Sequence, residues 1–64
     1  MFEEKLLQFF SYAHLPEKMQ EASKPFHDLA HSIVENCPQN PERTVALRKL
    51  LEAKDCAVRS TIYK

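Results

Sequence analysis

The stretch from Asn40 to Arg59, NPERTVALRKLLEAKDCAVR, constrains the fold more than any other part of the chain. Asn40 can accept a hydrogen bond as an N-cap, and Pro41 suits the first helical position, where its missing N–H costs nothing. Glu42 places a negative charge where the helix dipole favours it. From there to Arg59 there is no Gly and no Pro, and Ala, Leu, Lys, Arg and Glu dominate, which predicts a helix over about 41–61. At 100° per residue, Ala46, Leu47, Leu50, Leu51, Ala53, Ala57, Val58 and Ile62 gather on one broad apolar face. Arg48, Glu52, Asp55 and Arg59 gather on another, with Arg48–Glu52 and Asp55–Arg59 spaced for i,i+4 ion pairs. Two cations break the pattern, because Arg43 and Lys54 project near the middle of the apolar arc. A cation there needs an anionic partner or a route back to water.

The rest of the chain supplies a partner for that helix. Leu15, Met19, Ala22, Phe26, Leu29 and Ile33 form a heptad-like seam, broadened by Ala30, Val34 and Cys37. Pro25 interrupts it, since an interior proline removes a hydrogen bond and clashes with the preceding turn, costing about 3 kcal/mol. A kinked helix and two shorter helices both fit, and the unbroken seam favours one kinked helix from about 16 to 36. Asn36-Cys37-Pro38-Gln39-Asn40-Pro41 stops that helix and starts the next. The expected fold is therefore all-α, an antiparallel helical hairpin forming a single domain over residues 1–64. Ahead of it, Phe2, Leu6, Phe9 and Phe10 fit one face of a short N-terminal helix, which either folds on its own chain or serves as an arm to a neighbour.

Composition narrows the function. At 64 residues with zero glycine, the chain lacks the glycine loops that cradle nucleotide phosphates. Zero formal net charge removes the broad basic field that duplex nucleic acid requires. Met1-Phe-Glu-Glu does not read as a signal peptide and no apolar run is long enough for a membrane, so a cytoplasmic protein is expected. Cys37 and Cys56 fall far apart along a hairpin, so reduced, partly buried thiols are expected rather than a bridge. Both helices carry wide apolar stripes, whereas a hairpin has one inner surface, so homo-oligomerisation into a larger bundle is expected.

Three groupings could carry chemistry. His27-Asp28-Leu29-Ala30-His31 sets two imidazoles one helical turn apart. A zinc enzyme would need a third ligand and a cleft, so solvent-edge histidines are the expected reading, with no metal, no cofactor and no catalytic residue. Arg43-Thr44 joins a guanidinium and a hydroxyl to free amides at a helix start, a compact phosphate-binding set. The competing reading pairs Arg43 with Glu35 across the turn or lets it reach solvent. Tyr12 and Lys24 could stack a base and hold a phosphate, or could be a packing aromatic and a solvated charge. Lys54 is a further candidate cation, or a side chain that snorkels out of the bundle.

The runs LPEKMQEASKPFHDLA and NPERTVALRKLLEAKDCAVR resemble small phage helical-hairpin proteins grouped with the anti-CBASS and anti-Thoeris sponges. The likeness spans about Tyr12 to Arg59, and ERTVALRKLLEAKD is its most specific string. The resemblance implies a non-enzymatic homo-oligomer, commonly a hexamer, that sequesters cyclic oligonucleotide immune signals in the host bacterial cytoplasm. It implies Tyr12 and Lys24 at a cyclic dinucleotide pocket, and Arg43 with Thr44 at a separate cyclic trinucleotide site. The chain departs from that pattern in carrying Pro25 in its first helix. The alternative is a helical-hairpin protein–protein interaction module without a small ligand.

Overall fold

The computed structural model describes residues 4–63. It contains a 3-10 helix at Lys5–Phe10, α1 at Glu17–Asn36 and α2 at Pro41–Ser60, and among the described residues there is no strand. The two long helices pack against each other as a hairpin, and the 3-10 helix packs against both. Among the described residues no helix is long and apolar enough to cross a membrane.

The boundaries follow local chemistry. The Asn40 side chain accepts a hydrogen bond from the Arg43 backbone N–H at 2.9 Å, and Pro41 is the first residue of α2. At the start of α1 the Gln20 amide donates to the carbonyl of Leu15 at 2.7 Å, tying the preceding turn to the helix. At its end the Cys37 N–H bonds the Ile33 carbonyl. Pro25 lies within one continuous α1, so the chain absorbs the lost hydrogen bond instead of dividing the helix. The tertiary packing of Phe26 and Ala30 on the far side of that proline opposes a break.

The inward face of α1 is rotated from the seam that apolarity suggests. Its fully buried residues are Ser23 and Ala30, whereas Leu29 is 50% exposed. Small side chains sit where the neighbouring elements approach most closely, and larger ones flank them. The Ser23 hydroxyl is buried with no hydrogen-bond partner, a local cost of this close approach.

On α2 the buried residues are Arg43, Leu47 and Lys54, the two cations included. Their partners come from the N-terminal segment. Arg43 Nη2 meets Glu4 Oε1 at 2.9 Å, and Lys54 Nζ donates to the Phe9 carbonyl at 2.6 Å. Arg43 thus has the anionic partner that its position requires, Glu4 rather than Glu35, and Lys54 is bound by a carbonyl rather than extended to water. Both reach across to a segment whose position the hairpin alone does not fix.

That segment is itself a departure. Phe10 is fully buried, Leu6 and Leu7 pack against the core, and Phe9 is 51% exposed. In a 3-10 helix, three residues per turn put Leu7 and Phe10 on one face and Leu6 and Phe9 on the next, and of that second pair Leu6 packs against the core while Phe9 is left half-exposed. Phe2 lies outside the described residues. Among the described residues the buried apolar core is Phe10, Ala30 and Leu47, one residue from each element.

The surface ion pairs expected on α2 are not formed, since Arg48, Glu52, Asp55 and Arg59 are exposed and make no ion pair among the described residues. Long exposed side chains gain little from being fixed in such a pair. Cys37 and Cys56 are free and exposed, rather than partly buried.

Lys54→Met tests the second cation. The methionine keeps most of the stem's apolar volume and removes a buried ammonium, but it leaves the Phe9 carbonyl without its donor. These effects nearly cancel, so urea unfolding should shift by no more than about 1 kcal/mol. A loss above about 2 kcal/mol would show instead that this single bond fixes the 3-10 helix in place.

Candidate functional site

The 3-10 helix and α1 enclose a cleft of about 460 Å³, lined by Glu4, Lys5, Leu7, Gln8, Ser11, His27 and His31. Its volume lies in the range of small-ligand sites. A larger hollow of about 730 Å³ opens at the end of α2 among Cys56, Arg59, Ser60, Ile62 and Tyr63. That hollow is the shallow flank of a helix end, remote from the clustered titratable groups, and its size carries less chemical meaning than the smaller cleft.

The His27 and His31 rings line one side of the cleft, and Tyr12 packs beside it. Tyr12 meets His27 edge-on with centroids 5.0 Å apart, and His27 lies 4.4 Å from His31 at an interplanar angle of 48°. The i,i+4 spacing on α1 stacks the two imidazoles one above the other, and the turn that follows the 3-10 helix brings Tyr12 against the first of them. His27 and His31 are half-buried because the 3-10 helix covers that flank of α1.

Charges flank the rings. His27 Nδ1 lies 3.1 Å from Asp28 Oδ1, and Lys24 Nζ lies 3.4 Å from Asp28 Oδ2. The hydrogen bond from His27 holds the Asp28 carboxyl below the usual carboxylate range; desolvation opposes it, and the Lys24 ammonium adds to the lowering. Because an ionised carboxylate only accepts, this contact assigns a proton to Nδ1 of His27 and points Nε2 away from Asp28. Tyr12 and Lys24, paired in the sequence reading, thus converge on one His27–Asp28 patch.

Arg43 and Thr44 occupy a different place. The Arg43 guanidinium is 8% exposed and turns into the protomer, where Nη1 donates to the Cys37 carbonyl at 3.2 Å and to the Val34 carbonyl at 3.4 Å, and Nη2 meets Glu4. It closes the carboxyl end of α1 while neutralising Glu4, and its Nε is buried without a partner. Thr44 is half-buried and its hydroxyl donates to the Asn40 carbonyl at 3.4 Å. An anion reaching this end must displace Glu4, whereas Tyr12 and Lys24 stand at an accessible rim. Lys54 faces the interior and is not part of either group.

Lys5, Gln8 and Ser11 belong to the cleft but are absent from the groupings the sequence suggests. The HDLAH spacing marked the histidines, while the three from the N-terminal segment gave no signal, because their role depends on where that segment docks. No protein-family model, curated protein or solved structure matches this chain.

Proposed function

We propose that the chain is a non-catalytic sponge that binds and sequesters a cyclic oligonucleotide signal as a homo-oligomer, blocking anti-phage defence of the CBASS or Thoeris type in the bacterial cytoplasm. The observation that carries this reading is the convergence of Tyr12 and Lys24 on the His27–Asp28 patch, beside a cleft of ligand size. A ring on the rim can stack a nucleobase, and the ammonium of the 59%-exposed Lys24 side chain can meet a phosphate by leaving Asp28. The resemblance of Leu15–Ala30 and Asn40–Arg59 to the sponge proteins supports the same ligand class. Arg43 and Thr44 are the second candidate contact, and there a phosphate takes the place of the Glu4 carboxylate on the guanidinium. Self-association would cover apolar side chains that one protomer leaves open, Phe9, Leu29 and Val45 among them.

Calorimetry against a panel of cyclic di- and trinucleotides, with recovery of the intact ligand afterwards, tests the reading. Binding without turnover is expected, and Tyr12→Ala should weaken it about tenfold or more, the loss of one stacked base. Lys24→Ala should weaken it less, because the ammonium is exposed and screened. Unchanged affinity in Tyr12→Ala removes Tyr12 from the site. Silence across the panel, together with a monomer mass by light scattering, rejects the sponge. The half-exposed Leu29 and Val45 favour a second reading, a hairpin that grips another protein through its open apolar flank, and silence across the panel would promote it.

A further inference from the structure

We propose that His27 and His31 form a two-histidine site for a divalent transition ion at the cleft between the 3-10 helix and α1. The sponge reading is not needed for this, because the ligands lie on one helix and their geometry stands apart from any nucleotide. His27 donates its Nδ1–H to Asp28 at 3.1 Å, which points Nε2 away from the carboxylate. A carboxylate holding the distal N–H of an imidazole is the usual outer support of a metal-ligating histidine, fixing its tautomer and raising its basicity. Tyr12, edge-on to the same ring at 5.0 Å, limits its rotation.

The spacing of the rings comes close. With metal–nitrogen bonds of about 2.1 Å and ring centres roughly 1.1 Å farther out, imidazoles held at about 90–110° place their centroids roughly 4.5–5.2 Å apart. The observed 4.4 Å falls just below that range, so side-chain rotation has to bring one nitrogen of each ring onto the ion. Among the described residues no third His, Cys, Asp or Glu completes the set, so water fills the remaining positions in the cleft. Such a site exchanges readily, and imidazole donors with open positions suit copper(II), nickel(II) and zinc(II) rather than magnesium or calcium. The ion would also brace the single turn of α1 from His27 to His31, just after Pro25.

The test uses the full chain with Cys37→Ser and Cys56→Ser, exposed positions whose thiols would otherwise compete for the ion. Zinc chloride is titrated while the ring protons of His27, His31 and the exposed His14 are followed by NMR, and nickel chloride is titrated by calorimetry. Saturable shifts at His27 and His31, with His14 unmoved, are expected. His31→Asn should lower nickel affinity at least tenfold, and Asp28→Asn about tenfold, the usual effect of removing an outer-shell partner. Equal shifts at all three histidines, the absence of saturable binding, or undiminished nickel binding in His31→Asn would overturn the site. The His14 comparison within the unaltered histidine set keeps the test decisive even if a histidine variant folds poorly.

Discussion

Replacing Arg43 by alanine should destabilise the chain by about 3–5 kcal/mol, the usual effect of removing one member of a buried ion pair. Glu4 is only 12% exposed, so the substitution strands a carboxylate in the protein and leaves the Cys37 and Val34 carbonyls without their guanidinium donor. A core of this size supplies about 3–5 kcal/mol in total, so the variant should be largely unfolded at room temperature. Circular dichroism and urea titration measure this directly. Glu4→Gln keeps an acceptor of the same shape facing Arg43 and removes only its charge, so it should cost less than Arg43→Ala. A loss below about 1 kcal/mol in Arg43→Ala would show that the pair behaves like an exposed one, and that the guanidinium is free for another anion. Binding measured on Arg43→Ala is therefore inseparable from folding. Thr44→Val leaves the ion pair in place and is the better probe of nucleotide contact at that end.

This conflict between packing and binding marks where the sequence was legible and where it was not. Asn40, Pro41 and the proline-rich turn fix both long helices to within a residue or so, because caps and breakers act locally. The inward placement of Arg43 and Lys54 was visible from the helical period alone. Their partners were not, because Glu4 and Phe9 lie 39 and 45 residues away and reach α2 only after the N-terminal segment has docked. The same docking decides which side of α1 is covered. It half-buries His27 and His31 beside Lys5, Gln8 and Ser11, so the cleft is a product of tertiary packing that no local spacing encodes. Leu29 shows the converse error. Apolarity assigned it to the seam, but the close approach of three elements selects Ser23 and Ala30 at the centre and leaves the larger leucine on the flank.

Phe10→Ala should cost about 3–5 kcal/mol, as phenylalanine truncations in close-packed cores do, and should abolish the cooperative fold. Among the described residues Phe10 is one of three fully buried apolar side chains and the one contributed by the 3-10 helix. A six-residue 3-10 helix has no stability of its own, so its position depends on this side chain and on the two polar bonds to α2. Without the ring, the segment loses its hold, Arg43 and Lys54 lose Glu4 and the Phe9 carbonyl, and two unpaired cations remain on the inner face of a bare hairpin. Burying them is too costly for Ala30 and Leu47 to offset. The helical signal and the urea midpoint should therefore fall together in one transition. Phe9→Ala provides the comparison at the neighbouring residue, since a ring 51% exposed should cost under about 1 kcal/mol. If Phe10→Ala instead keeps the full helical signal and loses only the protection of residues 4–15 in hydrogen exchange, then the hairpin stands alone and the segment is a separable strap. In that case the buried cations find water or a second protomer, and the segment's role shifts from completing the core to covering the cleft.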